Sequence, residues 1–128
     1  MKIPRKYPKV RDVNITPEEL IAFEDKVKDA YENAQVQGPV HLSKNNEDHL
    51  IELFQHIHEE DWVLSAWRNH YHALLHGVDP NKLFNWISEG RSMGTNNTKP
   101  NFYASSIVGG IIPIALGVAA GLKRSNSQ

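Results

Sequence analysis

Apolar positions along this chain fall into short blocks of helical period, separated by glycine, proline and acidic punctuation. Thr16-Pro17-Glu18-Glu19 has the form of a helix start, with an N-cap threonine, proline at the first helical position and a glutamate closing a capping box. Leu20, Phe23, Val27 and Tyr31, with Ala30 and Ala34, then mark one face of a helix predicted to run to about Gln35. Gly38-Pro39 ends it. A second helix is expected after His41-Leu42-Ser43, with Ser43 as its cap and Leu50, Leu53, Phe54 and Ile57 at helical spacing. Glu59-Glu60-Asp61 interrupts the pattern, and Trp62 to Trp67 has the length and residue types of a buried strand. Arg68 to His76 predicts a short helix stopped by Gly77. Asp79-Pro80 opens another, ending near Gly90 with Leu83, Phe84, Trp86 and Ile87 on its apolar face. Residues 88–101 are polar and are expected to form a loop, of a length that in a compact domain is functional or disordered.

From Phe102 to Leu122 no side chain is charged. At helical period Gly109, Pro113, Gly117 and Gly121 form a ridge of small residues, flanked by Ile112, Leu116, Ala119 and Ala120. Such a ridge lets a second backbone approach closely, so the stretch predicts a buried helix with a tight neighbour. Ser105, Ser106 and two glycines before Ile111 leave amide groups at its N-terminus for a polar ligand. A C-terminal membrane anchor is the rival reading, because Lys123-Arg124 and a polar tail follow the uncharged run. Four glycines, two serines and a proline dilute that run, which disfavours the anchor.

Length and charge add organisation. The 128 residues suit one small domain over 16–124, preceded by an extended basic arm at 1–15 and followed by a polar tail at 125–128. A net charge of −1 conceals five Lys or Arg against one Asp in residues 1–12, and eleven acids against three bases in residues 18–60. The basic arm has no interleaved aromatics, so a solvated arm is expected and a nucleic-acid partner is not. The absence of cysteine removes disulfides and a thiolate nucleophile. No apolar run follows the basic start, so no secretory signal is expected and the cytoplasm is the expected compartment.

Two kinds of chemistry remain open. His72 and His76 share a helical face, and His56-x-His58 and His70-x-His72 are further pairs, yet no zinc-type spacing such as H-E-x-x-H occurs. Surface and partner-facing histidines are the simpler reading. Arg68 stands at the end of the expected strand, where an arginine fork suits a phosphate in the crevice of an α/β fold. A salt bridge to the acidic 18–60 region fits Arg68 equally well.

The order of these pieces resembles the alpha subunit of thiamine-diphosphate-dependent 2-oxoacid dehydrogenases, the pyruvate, acetoin and branched-chain enzymes, over about residues 38–124. Trp67-Arg68-Asn69-His70 is similar to the family's Tyr-Arg-x-His, and Arg91-Ser92-Met93 to its Gly-Ser-Met loop. Asn101-Phe102-Tyr103, Ile107-Val108-Gly109 and the Pro113 helix look like the family's Asn-Phe-Tyr, Ile-Val-Gly turn and glycine-rich helix. Ser105-Ser106 resembles the branched-chain version.

The resemblance implies an α-rich α/β fold, the N-terminal part of a thiamine-diphosphate-binding domain with mostly helices and one or few short strands. It implies thiamine diphosphate with magnesium as cofactor, decarboxylation of a 2-oxoacid, and acyl transfer to a lipoyl carrier. By the same resemblance Arg68 holds the diphosphate with Trp67 beside it, and Ser106, Ile107 and Val108 meet the aminopyrimidine. His41 then stands near the reacting thiazolium carbon, and Trp67 lacks the hydroxyl of the family tyrosine. The family's Gly-Asp-Gly and later Asn-Asn, which bind magnesium, follow the glycine-rich helix, whereas this sequence ends at Ser125-Asn126-Ser127-Gln128. The chain is therefore expected to be a truncated half of such a subunit. Its expected partners are a second copy through the 107–123 helix and a second-half or beta-subunit-like chain. A non-catalytic, self-associating helical protein of the same fold is the alternative.

Overall fold

A computed structural model describes residues 6–126, the side chains at 97 and 98 excepted. In chain order the elements are α1 (Pro17–Glu32), α2 (Glu47–Phe54), β1 (Val63–Ser65), α3 (His70–Leu75), α4 (Pro80–Ser88), β2 (Asn96–Thr98), β3 (Asn101–Ala104) and α5 (Ile111–Asn126). The capping box of α1 forms: Glu19 N–H donates to Thr16 Oγ1 at 3.2 Å and Thr16 N–H to Glu19 Oε2 at 2.8 Å. Leu20, Phe23, Val27 and Ala30 turn inward from α1, and Glu24 is buried on the same face. Asp79 caps α4 through Lys82 N–H at 2.9 Å.

The expected cap of α2 is corrected. Asn46 occupies that position without a side-chain bond, while Ser43 N–H donates to Glu24 Oε1 at 3.0 Å. Ser43 is drawn to a buried carboxylate on another helix, and its segment stays extended as a result. The strand expected over 62–67 shortens to Val63–Ser65, and the loop expected over 88–101 contains β2. β3 takes Asn101–Ala104, so the uncharged stretch is a strand, a turn and a helix.

The three strands form one sheet in the order β1-β3-β2. β1 and β3 run parallel with Val63 opposite Phe102 and Ser65 opposite Ala104, and β2 pairs antiparallel to β3. Phe102 and Ala104 face the helical core of Leu20, Val27, Tyr71, Leu83 and Ile87. The arm is tied down as well. Arg11 Nε donates to Phe54 O and Ile57 O, and its Nη2 to Leu75 O at 2.9 Å, so one guanidinium closes the C-terminal ends of α2 and α3. Residues 1–5 and 127–128 of the expected arm and tail lie outside the described residues.

The expectation of a buried terminal helix is also corrected. No residue of α5 is buried, and Ile112 and Leu116 are 71% and 72% exposed. Nothing lies within 4 Å of a Cβ built on Gly117 or Gly121. The side of α5 carrying Ala115, Val118, Ala119 and Leu122 leans towards α2 and β1 across a cleft, and the small-residue ridge faces away from the protein. A 16-residue helix spans about 24 Å, short of a hydrocarbon core of roughly 30 Å. Among the described residues no helix is long and apolar enough to cross a membrane.

Candidate functional site

Parallel pairing gives the sheet a single end at which two chain segments leave side by side. β1 ends at Ser65 and β3 at Ala104, and Ser105 N–H donates to Ser65 O at 3.1 Å just beyond them. Trp67-Arg68 follows the first strand and Ser105 to Gly110 follows the second. Residues distant in sequence are thereby neighbours at strand C-termini, the place where open α/β sheets bind ligands.

Arg68 is exposed there, and among the described residues it makes no ion pair or hydrogen bond. The alternative of a bridge to the acidic 18–60 region is thus overturned, and the guanidinium fork is free for an anion. Trp67 is half-buried. Ser106, Ile107 and Val108 are exposed in a tight turn, held by Ile107 N–H to Ser105 Oγ at 3.2 Å and Gly110 N–H to Ile107 O at 3.0 Å. A side chain at Gly110 would come within 3.0 Å of Ile107 Cβ, so the turn depends on a glycine. The Ser106 and Val108 amides have no protein acceptor among the described residues. His41 is half-buried in the segment between α1 and α2, two residues before Ser43, and makes no hydrogen bond to Arg68 or the turn.

Below Arg68 lies a polar array that local sequence patterns miss. His70 Nδ1 meets Glu24 Oε2 at 2.9 Å and His70 Nε2 meets Ser92 Oγ at 2.9 Å. A carboxylate accepts only, so a neutral His70 carries its proton on Nδ1 and takes the Ser92 hydroxyl proton's hydrogen bond at Nε2. The order Ser–His–Glu is that of a nucleophile triad. Ser92 and His70 are nevertheless 0% exposed and Glu24 4%, so no substrate reaches the hydroxyl. The array is a latch that fixes the Arg91-Ser92-Met93 loop to α1 and α3. Asn69 Nδ2 strengthens it by donating to Ser92 O at 2.9 Å and Trp67 O at 3.3 Å, and among the described residues the buried Asn69 Oδ1 has no partner.

A second buried pair sits next to it. Tyr71 O–H donates to Glu47 Oε1 at 2.9 Å. Burial and the Glu47 carboxylate push the phenol well above its usual range. For Glu47, burial alone would raise the carboxyl, but hydrogen bonds from its own amide, Tyr71 and the Asn45 and Asn46 amides outweigh it, and the net direction is down.

Of the histidines expected at the surface, His49 and His58 are exposed, whereas three on α3 and its C-cap are structural. His70 and His76 are buried, and His72 Nδ1 meets Ser65 Oγ at 2.6 Å. Their partners lie on other elements, which is why helical spacing alone points the wrong way. Among the described residues no three His, Asp or Glu side chains gather where a metal ion would bind. Glu24 did leave a trace in the sequence, as a carboxylate inside the Leu20-Phe23-Val27 stripe. Asn69 and Ser92 left none.

A curated relative is similar to this chain. The chain is 30% identical over 120 residues to the alpha subunit of acetoin:2,6-dichlorophenolindophenol oxidoreductase from Bacillus subtilis (strain 168). It resembles part of an oxidoreductase subunit. The aligned segment takes in 86% of this chain but 36% of the relative, so the chain spans little more than a third of that protein. No family model matches.

Proposed function

We propose that this chain is an alpha-subunit-like part of a thiamine-diphosphate-dependent 2-oxoacid dehydrogenase whose cofactor site a second polypeptide completes. One observation supports it above the others: Arg68, without a partner among the described residues, and the open Ser106–Val108 turn share one end of a parallel strand pair. The similarity to an oxidoreductase alpha subunit points the same way. When bound, thiamine diphosphate supplies the carbon nucleophile that decarboxylates a 2-oxoacid, with the acyl group passing to a lipoyl carrier.

In this reading Arg68 holds the diphosphate as a planar fork, with Trp67 packing beside it. The free amides of Ser106 and Val108, with Ile107 between them, hold the aminopyrimidine. His41 moves protons near the reacting carbon, a task suited to an imidazole. The latch of Glu24, His70, Ser92 and Asn69 keeps the segment that carries Arg68 in register with the loop at 91–93. The chain fits the organic part of the cofactor better than its metal. No acidic cluster is available among the described residues, and Gly-Asp-Gly does not occur in the sequence. In this reading the magnesium ligands come from a second-half or beta-subunit-like chain. The compartment is the cytoplasm, and α5 with its preceding turn, residues 107–123, pairs with a second copy.

Titration calorimetry with thiamine diphosphate and magnesium tests the reading. The lone chain is expected to give no saturable heat at micromolar concentration. A chimera in which the chain replaces the matching 36% of the Bacillus subtilis relative is expected to bind. Arg68→Ala in that chimera is expected to weaken binding about tenfold or more, the loss of charge-assisted hydrogen bonds. Micromolar binding by the lone chain would overturn the shared site. A folded chimera that binds no cofactor would overturn the cofactor reading altogether. The exposed Ile112 and Leu116 face of α5 would then favour the second reading, a self-associating helical protein of this fold without the cofactor.

A further inference from the structure

Away from the strand ends, α2, β1 and α5 line an open cleft of about 560 Å³. Leu50, Phe54, Val63, Val118 and Leu122 are among its walls, and it is mostly apolar. That volume lies in the range of sites that enclose small organic ligands, roughly 300–1,000 Å³. Its α5 wall is the Ala115-Val118-Ala119-Leu122 face, opposite the small-residue ridge, so the cleft and the ridge are separate surfaces.

Three residues with polar side-chain atoms line it, Asp61, Trp62 and His72. Asp61 is exposed and its Oδ2 already accepts from His58 N–H at 2.9 Å. His72 is held in place by its Nδ1 contact to Ser65 Oγ at 2.6 Å and by stacking on Phe54, with ring centroids 6.2 Å apart at 19°. Among the described residues Nε2 has no hydrogen-bond partner, and it is not sealed from solvent. Burial keeps this imidazole below the ordinary histidine range, so it is uncharged at neutral pH. Among the described residues no lysine or arginine lines the cleft, and Asp61 repels an anion at its rim.

We propose that this cleft binds a neutral, largely apolar small molecule carrying one hydroxyl or similar group, which pairs with Nε2 of His72. A hydroxyl fits because it donates or accepts, and so serves either tautomer that Ser65 imposes on the ring. A fatty or aromatic carboxylate would bury its charge with no cation to meet it. The assignment is independent of the thiamine diphosphate reading, since it uses none of the same side chains.

The test is an NMR titration of the full chain with cyclohexanol, cyclohexanecarboxylate and methylcyclohexane. Cyclohexanol is expected to give saturable shifts confined to amides such as those of Leu50, Val63, His72, Val118 and Leu122, together with a shift of the His72 Nε2 resonance. Cyclohexanecarboxylate at neutral pH is expected to bind about tenfold more weakly or worse. Val118→Trp fills the cleft and should abolish binding while circular dichroism stays unchanged. Ser65→Ala combined with His72→Phe keeps the ring without a stranded hydroxyl, and should erase the preference for cyclohexanol over methylcyclohexane. Gly117→Leu, on the opposite face of α5, should leave binding intact. Shifts scattered over the surface, equal binding by Val118→Trp, or an alcohol preference that survives the double variant would each overturn the site. Cyclohexanol that dissociates an oligomer would assign the cleft to a second copy of the chain and likewise overturn the proposal.

Discussion

His76 shows how a single residue ties stability to pH. Its Nε2 donates to Asp61 O at 2.9 Å, and a carbonyl accepts only, so the proton sits on Nε2, and among the described residues the buried Nδ1 has no partner. Protonation would bury an N–H with no acceptor. Burial accordingly pulls His76 below the ordinary histidine range, the Asp61 carbonyl pulling against it and Arg11 with it; Asp61 and Glu59 charges oppose in turn. Burial pulls His72 the same way. A histidine depressed in the folded state lets the unfolded chain bind protons first. The contribution is full above an unfolded pKa of about 6.5 and declines as pH falls through the window below it, by at most about 1.4 kcal/mol per pH unit per group. Urea unfolding at pH 7.5, 6.5 and 5.5 is expected to show falling stability, with a shallower slope in His76→Leu. A profile that is flat or rises on acidification would contradict the buried, neutral assignment. At this scale the sequence was least legible. The partners of His70, His72 and His76 are Glu24, Ser65 and Asp61, and only the fold brings them close.

Elements end here by a shared device. In α3 and α4 the residue after the C-cap is a glycine in the left-handed region, Gly77 at φ 99° and Gly90 at φ 88°. Gly77 N–H bonds Leu74 O and Val78 N–H bonds Ala73 O, and Gly90 and Arg91 repeat the pair on Ile87 O and Trp86 O. Both stops were legible because glycine announces them. Helix α1 closes identically, Ala34 N–H on Tyr31 O and Gln35 N–H on Ala30 O, with an alanine at φ 56°. An alanine gives no such signal, which is why the helix was expected to continue to Gln35. The left-handed conformation costs an L-residue about 1–2 kcal/mol, against roughly 0.4–1 kcal/mol of extra unfolded-state entropy for glycine. Ala34→Gly is therefore expected to stabilise the protein by up to about 1 kcal/mol in urea unfolding. A loss of stability would mean that the alanine methyl makes contacts that outweigh the strain. The starts of α1 and α4 were equally plain, since their caps are local, whereas the start of α2 depends on Ser43 being held by Glu24.

Across the whole molecule the helical core and the existence of α5 could be anticipated, but the surroundings of α5 could not. Periodicity reports that one face of a helix is apolar and is silent about what covers it. The candidate site has the same character: Trp67-Arg68 and Ser106–Val108 come together through the β1–β3 pairing, a long-range event visible beforehand only through resemblance. What α5 exposes bears directly on assembly. Ile112 and Leu116 on α5, and Ile107 and Val108 in the turn before it, are each at least 70% exposed, and open space lies over Gly117. Apolar surface of that kind marks an interface more often than free solvent contact. Two copies related by a two-fold axis would bring ridge to ridge, the closest approach two helices can make. Gly117→Leu separates a ridge contact from an internal one. Within the monomer a Cβ at position 117 meets nothing within 4 Å, and a helical glycine is itself unfavourable, so monomer stability should not fall. Across a dimer the same side chain overpacks the contact by about 1–3 kcal/mol, which is about 5- to 150-fold in association. Sedimentation equilibrium at tens of micromolar is expected to show a self-associating wild type and a weaker variant with an undiminished urea midpoint. A monomeric wild type, or a variant that associates as well, would leave the ridge to a different polypeptide.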